Sequence, residues 1–282
     1  MSWLQMPSAA AVMTRAQGEN FPVALRLLGR ELRERLLSLY GYARLVDELG
    51  DSFTGDRLAA LQWLEDELDR AYRGEAEHPV LARLQPTLSA CALPREPFVR
   101  LIEANRSDQR VARYETWEQL RAYCALSANP VGELVLGVFG QATPARVALS
   151  DDICTALQLT EHCQDVAEDL ARGQRIYLPA EDLARFGCTL ADLTSAHAGA
   201  SLRKVLAFEC ARARELFARG APLIGELRGL RPRLAVAAFL AGGRAALDAI
   251  EAADYDVLAG APRAGTRRRA LALAGTLAGR GR

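Results

Sequence analysis

Lysine is almost missing from these 282 residues: Lys204 is the only one, and every other basic charge is an arginine. Acidic and basic residues number 35 each, so no positive excess draws the chain onto a nucleic-acid backbone, and nucleic acid is not expected as a partner. Arginine in place of lysine does suit a diphosphate, because its planar fork holds two oxygens at once. No uninterrupted apolar run reaches the roughly 18 residues that a membrane-crossing helix needs. The nearest segments, around Val131–Phe139 and Leu234–Leu240, are too short. The start of the chain has neither a basic lead nor a long apolar stretch, so it is not read as a signal peptide. Cys91, Cys124, Cys154, Cys163, Cys188 and Cys210 form no C-x-x-C pair, which favours reduced thiols in a cytoplasmic protein over disulfides. A dinucleotide-binding glycine fingerprint is also missing, so a nicotinamide-dependent step is not supported.

Strand signals are absent too, and helical ones fill the gap. Apolar residues recur at helical spacing through Leu25–Asp51, with Leu32, Leu36, Leu39, Tyr40, Ala43 and Val46 on one side. Similar patterns run through Arg57–Arg73, Pro97–Asn105, Thr116–Gly140, Ala145–Arg172, Ala200–Leu227 and Pro232–Val257. Thr116 and Asp151 are expected N-caps, and Gly29, Gly74, Gly140, Gly173 and Gly187 sit near expected breaks. Asn129-Pro130 falls inside a helical pattern, where the proline should bend or interrupt it. No linker or short repeat is present. The expectation is an all-α, single-domain helical bundle over 19–262, with an N-terminal extension at 1–18 and a basic tail at 263–282. That tail reads either as a solvated end or as a segment weakly attracted to an anionic membrane surface.

Two constellations carry chemistry. The first is Tyr40-Gly-Tyr-Ala-Arg44-Leu-Val-Asp47-Glu48-Leu-Gly-Asp51. Residues four apart on a helix face the same way, about 6 Å from one another, so Asp47 and Asp51 project together with Arg44 a turn earlier. Two carboxylates held this close repel unless a cation lies between them. Mg²⁺ takes one or two carboxylates and completes its shell with water or phosphate oxygens. The second is Gln158-Leu-Thr-Glu161-His-Cys-Gln-Asp165-Val-Ala-Glu168-Asp169, in which Glu161, Asp165 and Asp169 align at successive turns. Arg175 and Tyr177 follow in a glycine-containing exit that could fold over a bound diphosphate. A D-x-x-x-D face is common on solvated helices, and one alone means little. Two of them, each with an arginine nearby, point to Mg²⁺-assisted departure of a diphosphate. The cation left behind needs an apolar, aromatic-lined cavity, for which Phe21, Tyr40, Tyr42, Tyr123, Phe139 and Tyr177 are available. His78, His162 and His197 are read as surface or packing residues, with His162 pointing away from the acidic face. Trp3, Trp63 and Trp117 are read as packing residues.

These motifs, together with Arg113-Tyr114-Glu-Thr-Trp117, Tyr123-Cys124 and Arg175-Ile-Tyr177-Leu-Pro179, resemble the squalene/phytoene synthase family, over roughly residues 19–260. Within it, Glu19–Ala24 and Leu126–Gly132 look most like the hydroxysqualene-forming branch of bacterial hopanoid biosynthesis. The resemblance implies an isoprenoid-synthase bundle with a central cavity. It also implies a Mg²⁺-dependent carbon–oxygen lyase reaction: presqualene diphosphate loses diphosphate, and water captures the rearranged cation to give hydroxysqualene. A presqualene diphosphate synthase would supply the substrate, and a flavin-dependent reductase would consume the product. By the same resemblance Asp47, Glu48, Asp51, Asp165 and Asp169 would bind metal. Arg44, Arg175 and Tyr177 would contact diphosphate, Tyr40, Gln158 and Asn129 the reacting region, and Tyr123 and Phe21 the hydrocarbon. Glu161 stands where the family usually has asparagine; it is expected to join the metal ligands while adding negative charge. Two other functions stay open: head-to-head joining of two prenyl diphosphates, and a non-catalytic helical subunit. The location expected is the cytoplasm, peripheral to the inner face of the membrane.

Overall fold

A computed structural model describes residues 6–8 and 28–277, apart from the side chains of 266–270 and 277. Phe21, Trp3 and the Glu19–Ala24 motif lie outside the described residues. Among those described there are fourteen α-helices and no strand. The chain divides into two compact units, each built from separate stretches of sequence.

The first unit takes residues 1–110, 126–147 and 227–235. Helix α1 (Arg30–Asp47) runs into a π-helical turn at Glu48–Ser52. It is followed by α2 (Arg57–Arg73), α3 (Pro79–Ala90), α4 (Glu96–Asp108) and α6 (Asn129–Val138). The boundaries of α2 match its sequence signals. The Asp56 carboxylate caps its start by accepting the Ala59 N–H at 3.0 Å, and Gly74 ends it in the left-handed conformation at φ 86°. Helix α1 packs on α3, α4 and α6 through Leu36, Leu39, Leu45 and Val46, all buried. Each such side chain contributes about 2 kcal/mol by leaving water. Tyr42 belongs to this core and not to a substrate cavity as the sequence suggested: it is fully buried, its hydroxyl donates to the Phe98 carbonyl at 3.0 Å, and its ring meets that of Phe98 edge-on.

The second unit takes residues 111–125, 148–226 and 236–282. Helix α5 (Trp117–Ser127) is capped by the Thr116 hydroxyl, as expected. The break before α6 falls at Ala128, where the proline predicts it. Helix α7 (Pro144–Gln164) leads to α8 (Val166–Gly173), α9 (Ala180–Arg185), α10 (Leu190–Leu193), α11 (Ala200–Gly220) and α12 (Leu223–Glu226). The long α13 (Leu230–Ala252) and α14 (Thr266–Leu277) close the chain. Asp151 is not an N-cap but an interior residue of α7; the cap is Thr143, whose hydroxyl accepts the Arg146 N–H at 3.4 Å. The basic tail is helical over Thr266–Leu277, and Ala264 and Ala272 pack against Ala245 and Ala249 of α13. Of the six cysteines none forms a disulfide. No described helix is long and apolar enough to cross a membrane.

Candidate active site

The first acidic motif sits where α1 widens into the π turn. The Phe53 N–H donates to the Glu48 carbonyl at 2.9 Å, five residues back, in place of the usual four. Sequence periodicity predicts an unbroken α-helix to Asp51, and the reason for the difference is tertiary. Gly50 is pressed against α4 so closely that a Cβ there would lie 1.9 Å from Asn105 Oδ1. Gln109 Nε2 donates to the Gly50 carbonyl at 2.9 Å, and Arg57 Nη2 donates to the Asp51 carbonyl at 2.9 Å. A π turn of this kind is frequent at functional sites. Asp47 is the last α-helical residue and Asp51 an exposed member of the wider turn, so the two are set at an angle that a plain α-helix would not give. Arg44 Nη1 lies 3.1 Å from Asp47 Oδ2, with the Asp47 side chain 44% exposed. The guanidinium balances one carboxylate of the motif. Tyr40 and Asn129 are buried in this unit.

The second motif is bent as well. Asp165 leaves helical geometry (φ −103°, ψ 19°) between α7 and α8. The backbone bonds of the kink survive, with Asp165 N–H to Glu161 O at 2.9 Å and Asp169 N–H to Asp165 O at 2.8 Å. Burial pushes the Asp165 carboxyl up to about 6, and the charges of Glu168 and Asp169 push the same way against Arg263 and Arg172. A carboxyl that resists ionisation through burial, and has further negative charge beside it, suits a site completed by a cation. Glu161 is exposed, and Glu168 is exposed and paired with Arg172 at 3.3 Å. Among the described residues no three His, Cys, Asp or Glu side chains converge as a ready-made metal cage. That is compatible with Mg²⁺, which needs only one or two carboxylates when phosphate supplies the rest.

The two aromatic motifs singled out in the sequence, far apart along the chain, meet in this unit. Ile176 N–H donates to Ala112 O at 2.9 Å and Ala180 N–H to Tyr114 O at 2.9 Å, a short parallel pairing of two extended segments. It stacks Tyr114 on Tyr177 with ring centres 5.9 Å apart, and Tyr123 lies 5.5 Å from Tyr177. The other face of Tyr177 lies against His162 at 3.8 Å, nearly parallel. His162 is only 5% exposed and does not point away from the acidic face: its Nδ1 is 3.9 Å from Asp169 Oδ2 and its Nε2 is 3.3 Å from Gln158 Nε2. The signal for this was present, since His162 is one turn after Gln158 and two turns before Asp169. His162, Asp169, Arg175, Tyr177 and Leu193 line a small pocket. The exit loop turns at Gln174, which takes the left-handed conformation at φ 53° and carries Arg175 back over Gly173.

A buried ionic cluster had gone unnoticed in the sequence. Arg212 Nη1 is 3.0 Å from Asp182 Oδ2 and 2.7 Å from both oxygens of Glu209, while its guanidinium lies 4.6 Å over the Trp117 ring. Glu209 is fully buried, and burial pushes its carboxyl up to about 8 against the pull of Arg212. One guanidinium faces two acids, so a proton held on Glu209 keeps the cluster neutral. The hint was a carboxylate within the apolar stripe of Val205, Leu206, Cys210 and Ala213. His78 and Trp63 pack edge to face, and His197 is exposed beside Asp256, in keeping with the roles expected of them.

The squalene/phytoene synthase family model matches residues 14–271. A hydroxysqualene synthase of Rhodopseudomonas palustris is 34% identical over 221 residues, 77% of this chain and 74% of the relative. The presqualene diphosphate synthase of the same organism is 35% identical over 204 residues, covering 71% and 72%. Among solved structures, squalene synthase HpnC from Alicyclobacillus acidocaldarius is 45% identical and superimposes with a TM-score of 0.80, over 90% of this chain and 98% of that one.

Proposed function

This chain belongs to the squalene/phytoene synthase family, and within it we propose that it converts presqualene diphosphate to hydroxysqualene with Mg²⁺. The observation that carries the reading is the construction of both acidic motifs: each is a helix deliberately deformed, by a π turn at Glu48–Ser52 and by a kink at Asp165, with an arginine close by. Asp47, Asp51, Asp165 and Asp169, with Glu48 and Glu161 as further ligands, are the residues that would hold Mg²⁺, and the chemistry it would supply when bound is neutralisation of the departing diphosphate. Arg44 exchanges its hold on Asp47 for a phosphate oxygen, and Arg175 closes from the exit loop. Tyr123 and Tyr177 belong to an aromatic wall that shields the hydrocarbon from bulk water, while a water held near the reacting carbon captures the cation and yields its proton to the released diphosphate. Tyr40, Asn129, Gln158 and, outside the described residues, Phe21 complete the lining. A presqualene diphosphate synthase supplies the substrate, a flavin-dependent reductase takes the alcohol onward, and the chain works at the inner face of the membrane, where such hydrocarbons collect.

The second reading is condensation of two prenyl diphosphates, favoured by the 35% identity to a presqualene diphosphate synthase. Parallel incubations with Mg²⁺ and either presqualene diphosphate or farnesyl diphosphate separate the two. Hydroxysqualene from the first substrate alone supports the proposal; presqualene diphosphate or a C30 hydrocarbon formed from farnesyl diphosphate overturns it. Asp47→Asn and Asp165→Asn should each lower turnover about 10²–10³-fold, the usual cost of removing one group that stabilises developing charge. Unchanged turnover in both would favour a non-catalytic subunit.

A further inference from the structure

His162 is a buried side chain that the reaction just described does not use. Its surroundings are unusually definite for a packing residue. Gln158 turns its amide NH₂ group toward the ring, with Nε2 to Nε2 at 3.3 Å. That amide nitrogen has no lone pair to offer, so it donates and His162 Nε2 accepts. In the neutral ring the proton then sits on Nδ1, which is the nitrogen facing Asp169 Oδ2 at 3.9 Å. That distance exceeds a direct hydrogen bond; a small rotation of the Asp169 side chain, or one bridging water, closes it. The ring cannot turn away, because Tyr177 is stacked on it at 3.8 Å and 12°. A phenylalanine at this position would fill the same volume and keep the stack but could not orient a carboxylate.

We infer that His162 is a positioning residue: Gln158 fixes it as the Nδ1–H tautomer, Tyr177 clamps its plane, and its Nδ1–H directs the Asp169 carboxylate. The inference rests on the role proposed above for Asp169 as a ligand of the metal–diphosphate group. Partners that orient a ligating side chain typically account for a 10- to 100-fold difference in metal affinity or activity.

The chain has three histidines, so ¹⁵N-histidine labelling with long-range ¹H–¹⁵N correlation reads each ring's tautomer, and His162→Phe assigns the signal. The wild-type protein should show Nδ1–H at His162. Gln158→Glu should flip it to Nε2–H, because a carboxylate only accepts. Both variants should bind Mg²⁺–pyrophosphate 10- to 100-fold more weakly by calorimetry and lower kcat more than they raise KM. An Nε2–H or doubly protonated ring in the wild type, or unaltered Mg²⁺–pyrophosphate binding in both variants, overturns the inference. If the wild type turns over no prenyl diphosphate while tautomer and binding behave as described, the functional reading fails and the positioning role stands.

Discussion

Replacing Gly50 with alanine tests whether the π turn is held by tertiary contact. A Cβ at Gly50 would lie 1.9 Å from Asn105 Oδ1 and 2.7 Å from its Cγ, where real contacts stay beyond 3.0 Å. Asn105 must therefore move by more than an ångström. It is buried, and its Nδ2 donates to the Leu101 carbonyl at 3.3 Å. Gln109 bridges the Gly50 and Asn105 carbonyls at 2.9 and 3.0 Å, so the disturbance reaches it too. Overpacking of this kind costs about 1–3 kcal/mol, and one disturbed hydrogen bond adds about 1. The better helix propensity of alanine returns up to about 1 kcal/mol, leaving a net loss of roughly 1–3. For a chain of this size Tm should fall by roughly 2–10 °C, read by calorimetry. Gly275→Ala is the control, since nothing lies within 4 Å of a Cβ there; it should leave Tm unchanged or slightly raised. Asn105→Ala in the Gly50→Ala background should recover part of the loss, as contacting residues do not add independently. A Gly50→Ala protein as stable as the wild type would refute the reasoning.

Three further outcomes follow from the same geometry. Arg212→Met leaves Asp182 and Glu209 buried without their cation and should cost about 3–5 kcal/mol by denaturant unfolding; a neutral result would show that the cluster is dispensable. The Glu209 carboxyl, raised to about 8 in the folded protein, binds its proton more tightly than in the unfolded chain, so its contribution is fully present below the ordinary carboxylate range and is lost as pH rises through about 8. Wild-type Tm should accordingly drop between about pH 5 and 8 more steeply than that of Glu209→Gln, and parallel curves would contradict the assignment. Glu161→Asn removes a proposed metal ligand at an exposed position beside the kink and should raise KM for the diphosphate substrate severalfold in steady-state assays; a lowered KM would show that Glu161 holds no metal and that its charge weakens diphosphate binding.

The helical class could be read from local patterns, because amphipathic spacing and capping are properties of neighbouring residues. Helix α2 is correct to the residue for that reason. The deformations at Glu48–Ser52 and Asp165 were not legible: the first depends on Asn105 and Gln109 pressing on Gly50 from another helix, and the second leaves the i, i+4 spacing intact. His162 faces Gln158 and Asp169, and its spacing of four and seven residues to them was visible in the sequence. The Asp182–Glu209–Arg212 cluster needed the tertiary fold, with only Glu209 in an apolar stripe as a clue. The C-terminal helix was masked by its arginines, whereas Ala264 and Ala272 turned out to pack on α13.

The central claim is that this family member removes diphosphate and lets water capture the cation. Turnover of presqualene diphosphate with Mg²⁺ in H₂¹⁸O, read by mass spectrometry, tests it most directly. Hydroxysqualene carrying one ¹⁸O atom is the predicted product, with none formed after chelation of the metal; unlabelled alcohol, a product without oxygen, or full activity without metal would contradict it.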